Sequence, residues 1–151
     1  MTEHRLPHTA ARVTHTVDTW YATTTDVDAL ALRMLQQACD PTQVAVNLLP
    51  PRLLTFDVLA RVAQTSPALL CLGAVAPGGV PHLRYLCKQL RARFPSLPLV
   101  VGCWGAAESV TETVALLRAD GLDHVGTTVQ TTRDHVMHVR QLVASQRTLI
   151  P

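Results

Sequence analysis

Few side chains in this sequence stand at spacings that chemistry uses. His135 and His138 lie three apart in a segment of helical pattern, so they share a face. Two imidazoles so placed ligate zinc only with a third ligand, and the sole nearby carboxylate, Asp134, is adjacent rather than opposite. A packed or solvated pair is the plainer reading. Cys71 and Cys103 sit near the ends of two apolar runs and, with His82, form the other conceivable metal cluster. Metal-ligand pairs usually come close in sequence, and buried thiols behave as small apolar groups, which favours packing here too. Thr23, Thr24, Thr25 and Asp26 precede a helix, where hydroxyls and free backbone N–H groups either hold a phosphate or cap the helix. No glycine opens this loop, so capping is expected. Arg84, Lys88 and Arg91, with Arg93 nearby, make a basic stripe. Without interleaved aromatic rings to stack bases, it reads as the water-facing side of an amphipathic helix. Asp26 and Glu108 are the acidic groups nearest the expected cleft, and both are poorly placed for proton transfer.

These residues must be positioned by alternating strands and helices. Val13 to Tyr21 is rich in β-branched and aromatic residues and reads as a strand. Val27, Leu30, Ala31, Met34, Leu35 and Ala38 follow at helical spacing, opened by a Thr25 and Asp28 capping box and stopped by Asp40-Pro41. A strand over Gln43 to Leu49 precedes a short helix that carries Phe56, Leu59, Ala60 and Ala63 inward. Ala68 to Val75 is a continuous apolar run, as in a strand covered on both faces. The next helix buries Val80, Leu83, Leu86, Cys87, Leu90 and Phe94; Leu97 to Val101 is a further buried strand. A helix from Ser109 (boxed with Glu112) to Ala119 stops at Gly121. Asp123 to Thr128 is a last strand, and Thr132 to Ser145 a last helix. Five β-α units predict a three-layer α/β/α domain with a five-stranded parallel sheet in the flavodoxin-like order 2-1-3-4-5; the order 3-2-1-4-5 is the rival.

The bulk numbers agree with one domain. The chain has 151 residues, 48% apolar and only 4% aromatic, so Leu, Val and Ala must build the core. Residues 1–12 read as a flexible arm and 13–147 as the domain. A charged fraction of 16% is low for a free-standing protein and points to a covered face, either a dimer contact or a partner. A net charge of +2 is too small to argue for nucleic acid. Cys39, Cys71, Cys87 and Cys103 form no C-x-x-C pair, the start lacks a signal-peptide pattern, and no run is long enough to span a membrane. Reduced thiols in a cytoplasm are the expectation.

The stretch Pro77-Gly78-Gly79-Val80-Pro81-His82-Leu83-Arg84-Tyr85-Leu86-Cys87-Lys88-Gln89-Leu90-Arg91-Ala92-Arg93-Phe94-Pro95, continued by Leu97-Pro98-Leu99-Val100-Val101-Gly102-Cys103-Trp104, resembles the soluble C-terminal domain of some permeases of the autoinducer-2 exporter family. That domain is similar in turn to cobalamin-binding domains. The resemblance runs from about Val13 to Val143 and is most specific from His82 to Trp104. It implies a flavodoxin-like scaffold and a transporter-associated role. The cobalamin signature D-x-H-x-x-G is missing: Tyr21-Ala22-Thr23-Thr24-Thr25-Asp26-Val27-Asp28 holds neither histidine nor glycine. The scaffold is therefore implied without the cofactor.

On such a sheet, ligands bind beyond the carboxyl ends of the strands. The loops expected there are Ala22 to Asp26, Leu49 to Thr55, Gly73 to Gly79 and Gly102 to Ala107. They supply the candidate ligand-binding set Thr23, Thr24, Thr25, Asp26, Gly73, Gly78, Gly79, Gly102 and Trp104. Trp104 either covers a pocket or plugs the space of an absent cofactor, with Trp20 and Tyr21 adding to the filling. A phosphoacceptor receiver fails on the third strand, which ends Leu70-Cys71-Leu72-Gly73 without an acid; no P-loop, G-x-S-x-G or G-x-G-x-x-G occurs. The expectation is a non-catalytic regulatory or interaction module without cofactor or metal. Its partner would be a permease or a second copy. The alternative is a sensor domain that binds a corrinoid or flavin.

Overall fold

The computed structural model describes residues 17–23, 26–50, 53–76, 80–105, 107–122 and 124–149. Five strands alternate with five helices: β1 (Val17–Thr23), α1 (Asp26–Ala38), β2 (Val44–Leu48), α2 (Thr55–Thr65), β3 (Leu69–Ala76), α3 (Val80–Arg93), β4 (Leu99–Gly105), α4 (Ala107–Ala119), β5 (Val125–Gly126) and α5 (Val129–Leu149). The sheet is parallel throughout and ordered β2-β1-β3-β4-β5. Four strands are full length; β5 contributes a two-residue edge.

The central strand explains the layering. Leu69, Leu70, Cys71, Leu72 and Ala74 of β3 are all buried, alternately facing two cores. On one side Leu70, Leu72 and Ala74 join α2, α3 and α4 through Val58, Leu83, Leu90 and Leu117. On the other side Leu69 and Cys71 join α1 and α5 through Leu32, Leu35, Val136 and Val139. Full burial of each leucine contributes about 1.5–3 kcal/mol.

Helix ends follow their punctuation. After α1, Asp40 Oδ1 accepts from the Thr42 backbone N–H at 2.9 Å and from its hydroxyl at 2.7 Å. Helix α2 closes on Ser66 in the left-handed region (φ 47°), its N–H donating to the Val62 carbonyl. Helix α4 closes on Gly121 (φ 93°), with Leu122 N–H reaching the Leu117 carbonyl and Gly121 N–H that of Arg118, a Schellman pair.

Several expected boundaries and faces shift. Strand β1 runs to Thr23, and residues 13–16 and the Thr25 cap lie outside the described residues. Strand β4 extends to Gly105 rather than ending at Val101, because the chain keeps its pairing with β3 up to Gly105 against Ala76. Ser109 lies two residues inside α4 and cannot be its cap. Strand β5 and α5 begin and end away from the expected bounds, the helix starting at Val129 and reaching Leu149. In α1 the inward residues are Leu32 and Leu35, with Cys39 just past its end, whereas Leu30 and Met34 are 62% and 55% exposed. The apolar stripe is wider than the buried one, and periodicity chose the wrong edge. In α2, Phe56 is 72% exposed and Val58, Leu59 and Val62 turn inward. Helix α3 buries Val80, Leu83, Leu86, Cys87 and Leu90 as read, with Phe94 half-buried against them.

Helix α3 is tied to the end of α4 by a two-pronged ion pair. Arg84 Nε and Nη2 donate to Asp120 Oδ2 and Oδ1 at 2.8 and 3.0 Å. These bonds, with the charges of Arg84 and Lys88, hold the Asp120 carboxyl below its ordinary value. A depressed carboxylate adds stability above its unfolded pKa of about 4 and loses it as pH falls through the folded value. Asp120→Asn should therefore lower the melting temperature at neutral pH and flatten the acid limb of the stability–pH curve, read by thermal melts between pH 2 and 7. Urea unfolding should separate the two edges of α1: Leu35→Ala costs about 2–5 kcal/mol, and Met34→Ala under about 0.5 kcal/mol.

Candidate functional site

Gly73, Gly102 and Gly126 are in register across β3, β4 and β5. They fall on the α1/α5 face and remove the side chains from one row of the sheet. Trp104, two residues beyond Gly102 on the same face, folds its indole back into that row. A Cβ on Gly73 would lie 2.8 Å from Trp104 Cζ3 and 3.1 Å from Leu32 Cδ2, and one on Gly102 would overlap the same ring. At Gly126 the obstacle is Thr132 of α5. The glycines are thus required by close approach from above.

Trp104 is 8% exposed, and its Nε1–H is buried with no hydrogen-bond partner among the described residues. An unpaired buried donor costs about 1–3 kcal/mol. The slot therefore holds a flat heteroaromatic ring, supplied by the chain's own strand, with one donor unused.

The sequence candidates sort around this slot. Gly73, Gly102 and Trp104 meet, but inside strands rather than in loops: Gly73 pairs within β3, and β4 runs on past Val101 to Gly105. Thr23 also lies in its strand, paired with Gly73, and not in a loop. Asp26 opens α1. Thr24, Thr25, Gly78 and Gly79 lie outside the described residues. Trp20 and Tyr21 lie within β1, opposite Leu70 and Cys71 of β3. Cys71 and Cys103 are on opposite faces of the sheet, Cys71 in the α1/α5 core and Cys103 in the other, so they cannot meet. Alternation along paired strands sets this. His82 and Glu108 are exposed.

Burial pushes the Cys71 thiol up strongly, and moves Cys87 to about 12. Cys103 is raised by burial against an opposing hydrogen bond from Thr113. Thiols held protonated in this way are poor nucleophiles. The basic stripe is partly committed inside the fold. Arg84 holds Asp120, Arg91 Nη1 donates to the Leu97 carbonyl at 2.9 Å, and the Arg93 guanidinium sits 5.7 Å from the Phe94 ring centre.

Two features were missed in the sequence. The β5–α5 turn also reaches the strand-end surface. There Thr131 Oγ1 accepts from the N–H groups of Thr127 and Thr128 at 3.0 Å, and Thr128 Oγ1 accepts from Thr131 N–H. The spacing Thr128-x-x-Thr131 after Gly126 was the available signal. Second, His124 stands beside His135 and His138, with ring centres 5.6 and 6.1 Å away. No local spacing brings it there. A cavity of ≈ 490 Å³ lies at the other end of the sheet, at the amino ends of β3 and β4, lined by Val62, Pro67, Phe94, Leu97 and Val143 among others.

The architecture has a counterpart among solved structures. A crystal structure of a cobalamin-binding protein from Desulfitobacterium hafniense DCB-2 superposes with a TM-score of 0.61 at 14% sequence identity. The match covers 81% of this chain and 57% of that one, so this chain spans a little over half the neighbour's length. The shared property is the fold. No family model matches the chain, nor does any curated protein.

The glycine–indole contact is testable by a double-mutant cycle. Gly102→Ala should destabilise the protein by about 1–3 kcal/mol through overpacking, and most of that loss should vanish in a Trp104→Leu background. Chemical denaturation of the four proteins gives the coupling.

Proposed function

We propose that the chain is a non-catalytic regulatory or protein-interaction module on a degenerate cobalamin-binding-like scaffold, associated with a membrane transporter. The observation that carries this reading is the indole of Trp104 lying over Gly73 and Gly102. On this reading the indole occupies the space over the bare glycine row that a flat ligand would need. The residues present do not fit a histidine-ligated corrinoid: the segment from Tyr21 to Asp28 contains no histidine to approach cobalt from below. The raised thiols support the non-catalytic half of the reading.

Association rather than catalysis also suits the surface. Leu54 and Phe56 are exposed at the start of α2, and Leu30 and Met34 on α1, in a chain with few charges. These are two separate pairs, on opposite sides of the sheet, each of a kind that contact surfaces use. The transporter link draws on the His82 to Trp104 resemblance.

A second reading has one observation of its own. The buried Trp104 Nε1–H has no hydrogen-bond partner among the described residues, and a corrinoid or flavin that displaced the indole would relieve that orphan donor. Native mass spectrometry decides between them, on protein purified from cells given hydroxocobalamin and then exposed to FMN. The module reading expects the apo mass, alone or doubled, and unchanged tryptophan emission. A retained corrinoid or flavin with altered emission would establish the binding domain instead.

A further inference from the structure

In a parallel sheet with crossover helices, each helix ends beside the start of the next strand. The carboxyl ends of α2 and α3 therefore lie at the amino ends of β3 and β4. The cavity of ≈ 490 Å³ opens there, and its rim is backbone already committed to internal bonds. Ser66 N–H donates to the Val62 carbonyl at 2.9 Å, Leu97 N–H to the Phe94 carbonyl at 3.1 Å, and Leu70 N–H to the Pro98 carbonyl at 3.1 Å. Pro67, Pro95 and Pro98 stand in the same two loops, where each ring fixes φ. A rim so constrained keeps the space open and presents a mainly apolar wall. A smaller cavity of ≈ 200 Å³ adjoins it and shares Pro98, Val143 and Gln146 with it. Here the wall changes character. Arg91 lines the smaller cavity, and its Nη1 donates to the carbonyl of Leu97, which lines the larger one, at 2.9 Å. That bond fixes the guanidinium at the junction and uses one of its several donors. Among the described residues that line the two cavities none is acidic, and Arg91 alone carries a fixed charge. It is half-buried, and no carboxylate among the described residues pairs with it.

We propose that the two cavities together bind a small apolar molecule that ends in a carboxylate. The larger space takes the apolar body, and Arg91 takes the anionic group. Small-molecule sites are typically clefts of about 300–1,000 Å³, mainly apolar, with a few placed polar groups that set orientation. Charge complementarity decides the ligand class. A cation would meet Arg91 with no lining acid to offset it, and a neutral molecule would leave the guanidinium fork without an acceptor. A carboxylate accepts two parallel N–H bonds from such a fork, each stronger than a bond between neutral groups. Half-burial strengthens the attraction by removing part of the water that would screen it. The site lies at the opposite end of the sheet from the Trp104 slot and does not depend on the function proposed above.

Octanoate is the probe, with 1-octanol and octylammonium as its neutral and cationic counterparts. Calorimetry on the full chain should show saturable binding of octanoate, binding of octanol weaker by about tenfold or more, and none of octylammonium. Arg91→Gln should weaken octanoate by about tenfold or more and leave octanol unchanged. That substitution also removes the bond to the Leu97 carbonyl, so a second variant fills the space from an exposed position. Ala63 is exposed on α2 and lines the larger cavity. Ala63→Trp should abolish octanoate binding with the fold intact, as circular dichroism checks. No saturable octanoate binding, equal binding of the three probes, or an octanoate affinity unchanged by either substitution overturns the assignment.

Discussion

Three glycines in register take the side chains out of one row of the sheet, and something must cover that row. Gly73 and Gly102 lie beneath the Trp104 indole, and Gly126 beneath Thr132 at the start of α5. The same geometry therefore sets how closely the last helix approaches, where Leu32 of α1 rests, and which residue occupies the strand-end slot. A side chain added at any of the three positions collides with rigid neighbours, not with the loose end of a flexible one. The α1/α5 layer is built on this bare strip, whereas the opposite layer relies on ordinary interlocking of leucines and valines.

The second layer-forming device is polar. Arginine guanidinium groups anchor helix ends: Arg84 to Asp120, and from α5, Arg133 to the Ala38 carbonyl at 2.7 Å and Arg140 to the Gln43 carbonyl at 3.3 Å. Carbonyls at the end of α1 lack intrahelical partners, so a cation there both completes a hydrogen bond and opposes the helix dipole. Three of the chain's 13 basic side chains thus dock helices rather than face a partner.

The order of elements was legible because β2, β3 and β4 were continuously apolar or flanked by Pro and Gly, and α1 to α4 each carried a recognisable stop. Gly121 and Asp40-Pro41 end α4 and α1 as read. Faces were less legible. Leu30 and Met34 satisfy helical spacing as well as Leu32 and Leu35 do, and only contact with α5 and β3 selects between them. Gly102 and Trp104 were recognised as a pair of interest but placed in a loop, since glycine next to a run of β-branched residues looks like its end. In the fold it is an interior position that pairs with another glycine. The approach of His124 to His135 and His138 had no local signature, because it depends on the docking of α5 against the sheet edge.

The brevity of β5 has a consequence for how copies of this domain could join. A sheet grows by adding strands to an edge with a long row of unsatisfied backbone groups. The β5 edge offers two residues, too few to template a neighbour, while β2 at the other margin offers five. Joining of sheets is therefore one-sided: two domains that met through β2 would leave only β5 edges outward, and the valence of such an assembly ends at two.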